Sequence, residues 1–248
     1  MIIRKSKDEI AIMRKAGRIV AQVLDVIEKK IKPGVELIEL DRLAESTIRK
    51  SGARPAFKGY KGFPATICAS PNEAVVHGIP GKRRLQEGDI ISIDVGAEFK
   101  GYFGDMAATY PVGEVSDTAK RLIETTRSSL SKGIEKCVDG CYLYDISNAI
   151  QVEAEGAGFS VVREFVGHGI GRQMHEEPQI PNYGKPGRGP KLKTGMVLAI
   201  EPMVNVGDCR VEVLEDNWTV VTIDKSLSAH FEHTVAITED GPEILTVI

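Results

Sequence analysis

Leu85–Asp94 (LQEGDIISID) and Leu192–Glu201 (LKTGMVLAIE) read as two versions of one segment, an apolar strand that ends in a carboxylate. At an offset of 107 positions, Leu85 falls on Leu192, Gly88 on Gly195, Ile93 on Ile200 and Asp94 on Glu201. The segments before them repeat as well. Ser6 and Glu9 form a capping box ahead of an apolar stripe of Ile10, Met13, Val20, Val23, Leu24 and Ile27, which Pro33-Gly34 stops. Ser116 caps a matching stripe of Leu122, Ile123, Thr126, Leu130 and Ile134 that closes at Asp139-Gly140. Each is followed by a second helix, one over Leu37 to Lys50 and one carrying Leu143, Ile146, Ile150 and Ala154. At an offset of 106, Gly34 pairs with Gly140, Leu37 with Leu143, Leu40 with Ile146 and Gly52 with Gly158. Two independent signals with nearly the same period argue for a duplicated unit. The spacing predicts two half-domains, approximately residues 1–113 and 114–248, facing one shared site within a single domain of residues 1–248. Runs of helices followed by runs of strands predict an α+β fold, and short turns between the strands predict an antiparallel sheet.

Composition narrows the function classes. A formal net charge of −3 supplies no electrostatic attraction to nucleic acid or to an anionic membrane. Lys82-Arg83-Arg84 is short enough to be solvated surface. Cys68, Cys137, Cys141 and Cys209 follow neither a disulfide framework nor paired zinc spacing, and are expected to be reduced thiols. The start MIIRKSKDE lacks the apolar core of a signal peptide, and no run of about 18 apolar residues is present. A soluble cytoplasmic protein is expected.

The chemistry sits on the repeated strands. A two-residue turn at Lys100-Gly101 would place Asp94 opposite Ala107, with Asp105 a same-face diagonal neighbour roughly 7–8 Å away. A one-residue bulge would instead put the two acids on opposite faces. Asp94 and Asp105 stand among apolar residues, where an acid is seldom buried without a partner. In the second half, FVGHGIG sets His168 between glycines, which permit unusual backbone angles and close approach by a ligand. His175 follows, then Glu176-Glu177-Pro178, and Gln179 stands where a zinc-protease helix motif would need a second histidine. Glu201 ends the repeated strand. In a strand beginning at His230, alternation separates Phe231, His233 and Val235 from His230, Glu232 and Thr234. Asp94, Asp105, Glu201 and Glu232, with His168 as a neutral donor, form the candidate metal set. Two divalent cations would cancel the four negative charges, so charge balance favours a dinuclear over a mononuclear centre. Oxygen donors with one imidazole suit manganese, iron(II) or cobalt, with zinc also compatible.

The order Asp, Asp, His, Glu, Glu, together with the run FVGHGIGRQMHEEPQIPNY, resembles the methionine aminopeptidases of the pita-bread (creatinase/aminopeptidase-like) fold over essentially the whole chain. The resemblance implies two pseudo-symmetric halves, an antiparallel sheet covered by helices, and one catalytic domain. It implies Asp94, Asp105, His168, Glu201 and Glu232 as metal ligands, with Asp105 and Glu232 bridging two divalent ions (Co, Mn, Fe(II) or Zn). It implies a methionine pocket of Phe57, Tyr60, Phe63, Cys68, Met174 and Trp218, with His77 (in VVHGIP) and His175 contacting the substrate. Phe57 and Met174 occupy positions that vary in the family, and both remain apolar. Only 33 positions separate His168 from Glu201 and 31 separate Glu201 from Glu232, which resembles the compact, bacterial-type class I enzymes without the class II insertion or an N-terminal zinc-binding extension.

The implied activity is removal of the N-terminal methionine from nascent proteins and peptides with a small second residue, hydroxide from a dinuclear centre attacking the scissile carbonyl. Glu201 is the expected proton shuttle, His175 the donor to the oxyanion, and His77 the neighbour of the scissile nitrogen. The implied partners are N-termini of nascent polypeptides, met at the ribosome by a monomer. A proline-specific peptidase would use the same ligands but usually carries an extra N-terminal domain. A non-enzymatic module of this fold would typically have lost ligands.

Overall fold

The computed structural model describes residues 1–248. Its four helices are α1 (Lys7–Glu28), α2 (Leu37–Lys50), α3 (Asp117–Ile134) and α4 (Leu143–Gly156), two ahead of each carboxylate strand. Ser6 Oγ accepts from Glu9 N–H while the Glu9 carboxylate accepts from Ser6 N–H, and Ser116 Oγ accepts from Ala119 N–H. Both expected caps therefore hold the first turns, where backbone donors lack helical partners. The apolar stripes of α1 and α2 face the sheet, with Met13, Val20, Val23, Leu24, Ile27, Leu40 and Ile48 buried.

A nine-stranded sheet runs through the molecule, and all its pairings are antiparallel. Across it lie Ile90–Phe99, Tyr102–Pro111, Glu232–Thr238, Val197–Ile200, Gly167–Gly169 and Glu176–Ile180, with Ile67–Pro71 flanking Ile90–Phe99. The strands of the first half thus join those of the second where Tyr102–Pro111 meets Glu232–Thr238. One apolar cluster draws on both halves, from Ile19 on α1 and Ile93 on its strand to Leu122 on α3, Ile150 on α4 and Ile200.

Two details differ from the expected pattern. The segment after Ser228 is not one strand: Ser228–His230 pairs with Met203–Asn205, Phe231 turns into the core at 5 % exposure, and Glu232–Thr238 then joins the main sheet. His230 therefore reaches the centre from a small side sheet. The glycines around His168 have a different cause from ligand approach. A Cβ on Gly167 would lie 2.5 Å from Ala199 O, and one on Gly169 would lie 2.1 Å from Glu177 O. Neither has a positive φ. They are glycines because neighbouring backbone passes too close for a side chain. No helix is long and apolar enough to cross a membrane, and the four cysteines are free thiols.

Candidate active site

Strand register assembles the acids. The hairpin closes with Phe99 opposite Tyr102, and Lys100 and Gly101 both take the positive φ of a two-residue turn (52° and 80°). Asp94 consequently pairs with Ala107, and Ala107 pairs on its other side with Glu232. Residues directly opposite share a face, so Asp94 and Glu232 flank an alanine whose small side chain leaves the space between them open. Asp105 lies on the same face two residues before Ala107. Its backbone is anchored on both groups: Asp105 N–H donates to Thr234 Oγ1 (3.0 Å), and the Thr234 hydroxyl donates to Asp105 O (2.8 Å). Glu201 follows Val197–Ile200, whose Ala199 pairs with His168. Asn182 Nδ2 donates to Glu201 O at 3.0 Å, fixing the backbone where the strand ends.

The imidazole of His168 is 6 % exposed, and its Nδ1–H donates to Gly169 O at 2.9 Å. That bond fixes the tautomer and leaves the Nε2 lone pair directed at the acids, 3.5 Å from Glu201 Oε1 and 3.9 Å from Asp105 Oδ2. No lysine or arginine stands within 4.0 Å of any of the four carboxylates. Asp94 Oδ1, Asp105 Oδ1 and Glu232 Oε1 are buried without a hydrogen-bond partner. Burial, reinforced by neighbouring carboxylates, drives Asp105 and Glu232 well above the usual range. Burial likewise raises Asp94 and Glu201 to about 7, opposed by His230 and His168 respectively. Buried acids without a counter-charge, facing a neutral imidazole nitrogen, are a donor set that a divalent cation satisfies. Oxygens of Asp105 and Glu232 lie within 4.8 Å of each other and of a His168 nitrogen, as do donor atoms of Glu201, His230 and Glu232.

The same residues form one wall of a cavity of about 180 Å³. Phe57, Tyr60, Phe63, Cys68 and Trp218 form the apolar wall, with His77 and His175 between the two. Phe63 and Trp218 meet edge-to-face at 5.1 Å. His77 has a left-handed backbone (φ 60°), and its ring packs edge-on between Phe165 and Trp218. Tyr60 Oη lies 3.0 Å from His175 Nδ1. Burial lowers both His77 and His175 to about 4, helped by His230 at the former and Lys61 at the latter. Both imidazoles are therefore neutral at pH 7.

Met174, expected on the pocket surface, is set behind it. It is 2 % exposed and does not line the cavity. A Cβ on Gly96 would lie 2.7 Å from Phe57 Cε1 and 3.2 Å from Met174 Cε, so Phe57 and Met174 close over the glycine from two sides. The larger Phe57 occupies the surface position and Met174 supports it.

Four residues have site roles that the sequence reading did not assign. Lys61 lines the mouth from a turn with φ 49°, for which the sequence offers only the flanking Gly59 and Gly62. Lys5 and Glu176 form an ion pair at 2.7 Å with side chains 3 % and 6 % exposed, and the other Glu176 oxygen accepts from Gln173 N–H at 3.1 Å. This pins the loop that carries His175 to the N-terminal segment, a long-range contact with no local signature. His230 lies among the acids, and strand alternation had put it on the face of Glu232.

Known proteins resemble this chain in sequence and fold. The model of metallopeptidase family M24 matches residues 11–239. The chain is 59% identical over 246 residues to methionine aminopeptidase 1 of Bacillus subtilis, covering 99% of each. It is 56% identical over 248 residues to the methionine aminopeptidase of Clostridium perfringens, covering 100% of each. The crystal structure of a methionine aminopeptidase from Thermotoga maritima superposes with a TM-score of 0.99 at 51% identity, covering 100% of both chains. The prolidase from Pyrococcus furiosus superposes with a TM-score of 0.82 at 26% identity, and this chain covers 66% of it.

Proposed function

The chain belongs to metallopeptidase family M24, and from that premise we propose that it removes the N-terminal methionine from nascent proteins and peptides with a small second residue. The feature that carries this reading is one cavity with an acidic wall facing an apolar one. A methionine side chain would lie against Phe57, Tyr60, Phe63, Cys68 and Trp218, with its scissile bond directed toward the carboxylates. That wall offers sulfur-aromatic contact, which suits a thioether better than a polar side chain.

Asp94, Asp105, His168, Glu201 and Glu232 would hold two divalent cations. Oxygen donors with imidazole suit cobalt, manganese, iron(II) or zinc. When bound, the cations supply Lewis acidity, polarising the carbonyl and bringing the pKa of water close to neutrality. Glu201 takes up the proton released in the attack and delivers it to the leaving amine, a role open to a carboxylate that lines the cavity between the acidic cluster and the apolar wall. His175 donates from Nε2 to the oxyanion. The Tyr60 hydroxyl donating to Nδ1 would hold the proton on Nε2. Neutral His77 contacts the scissile amide nitrogen. The reading takes residues 1–248 as one catalytic unit of two halves, a monomer acting in the cytoplasm on N-termini that emerge from the ribosome.

The deciding assay compares a Met-Gly-x peptide with an x-Pro peptide after chelation, with and without added manganese or cobalt. Metal-restored release of methionine from the first alone supports the reading. Cleavage of the x-Pro peptide alone would make the chain a proline-specific peptidase, and cleavage of neither a non-enzymatic module.

A further inference from the structure

His230 is 1 % exposed, and its Nε2 has no hydrogen-bond partner. That nitrogen stands 3.6 Å from Glu201 Oε2, while His168 Nε2 stands 3.5 Å from Glu201 Oε1. Two imidazoles thus address the two oxygens of one carboxylate. The backbone of His230 is fixed on both sides: its N–H donates to Thr109 Oγ1 at 2.9 Å, and the Thr109 hydroxyl donates to its carbonyl at 2.8 Å. His230 also pairs with Met203 in the side sheet, which brings the ring in beside Glu232.

A structural histidine would spend its buried Nε2 on a hydrogen bond, and 3.6 Å to Glu201 is too long for one. The separation is close to that of two donor atoms on a single cation, which bonds of about 2.1 Å would hold roughly 3.0–3.4 Å apart. A Glu201 oxygen, a Glu232 oxygen and a His230 nitrogen lie within 4.8 Å of one another, a second donor triad beside that of Asp105, His168 and Glu232.

We propose that His230 is a sixth ligand of the metal centre, giving each of the two cations an imidazole nitrogen. The inference rests on the two-cation reading of the carboxylate cluster. It has a chemical consequence, because a second nitrogen donor shifts preference away from manganese and toward cobalt and zinc.

The test uses the full-length protein, chelated and then titrated with Co(II) without oxygen. In the proton NMR spectrum of the Co(II) form, each coordinated imidazole contributes one exchangeable, strongly shifted ring N–H signal. Two such signals are expected in the wild-type protein at two equivalents of cobalt, and one in His230→Gln. By calorimetry His230→Gln should bind one equivalent of cobalt about 10-fold or more weakly, with the other unchanged. Two bound ions with a single ring signal in the wild type would overturn the inference and leave the dinuclear reading standing. Absence of cobalt binding would overturn both. The wild-type count decides the matter even where the variant fails to fold.

Discussion

Stripping the metal should make this protein less stable as pH rises through neutrality, opposite to acid denaturation. In the metal-free protein Asp94 and Glu201 titrate at about 7, and Asp105 and Glu232 are raised well above the usual carboxylate range, because burial, joined at Asp94, Asp105 and Glu232 by repulsion from neighbouring carboxylates, disfavours their charges. Once unfolded, all four release their protons near pH 4. Above that pH the folded state binds more protons than the unfolded one, so stability declines as pH rises. Between pH 6.5 and 8 a carboxyl titrating at 7 loses about 0.8 kcal/mol of stability, and no single group can lose more than about 2 kcal/mol. Asp94 and Glu201 alone give a loss of roughly 1.6 kcal/mol, to which Asp105 and Glu232 add, so relative to the loaded protein Tm should fall by about 3–6 °C or more for a chain of this length. The buried histidines act in the opposite sense, because their unfolded forms still release protons from pH 6.5 upward, about 0.4 kcal/mol each across this window; His77, His175 and His233, lowered to about 4 in the fold, do so with or without metal, so the loaded protein is the reference. Calorimetric melting of chelated and metal-loaded protein at pH 6.5, 7.25 and 8.0 and constant ionic strength would measure the effect. The loaded form should keep its Tm or gain, since ligation holds the carboxylates ionised and no longer competes with protons. A chelated protein whose Tm does not fall relative to that of the loaded protein across this range would refute the reasoning.

His175→Ala should lower kcat about 10²–10³-fold, the usual cost of one oxyanion donor, while metal content stays near wild type; loss of metal would assign His175 to ligation instead. Asp105→Asn removes a charge at a site with no neighbouring cation, so metal analysis should find it largely empty, and full activity in this variant would contradict a dinuclear centre. Gly96→Ala places a methyl against Phe57 and Met174. It should cost about 1–3 kcal/mol of stability and raise KM for methionyl peptides without changing metal content. An unchanged denaturation midpoint would show that Phe57 and Met174 yield freely.

The parts of this fold legible in the sequence depend on short-range rules. Ser6 and Ser116 announce their helices because capping is a contact between residues three apart. The register that faces Asp94 toward Glu232 follows from a turn of two residues at Lys100-Gly101 and the alternation of side chains beyond it. What was not legible depends on the path of distant backbone. Gly167 and Gly169 are required by Ala199 O and Glu177 O, which no local pattern places beside them. Phe57 and Met174, distant in sequence, both pack against Gly96 on the strand Ile90–Phe99, a meeting that no local pattern announces. Lys5 meets Glu176 across 171 positions. His230 lies on the expected face, yet the break at Phe231 hides how closely it approaches Glu201.

The central claim is that carboxylates from both halves surround a pair of cations. Crystals soaked in Mn(II) and measured at the manganese absorption edge test it most directly. Two anomalous peaks per chain, each within bonding distance of oxygens from Asp94, Asp105, Glu201 or Glu232, are the predicted result. A map without manganese between these side chains, or with peaks only at the protein surface, would contradict the account.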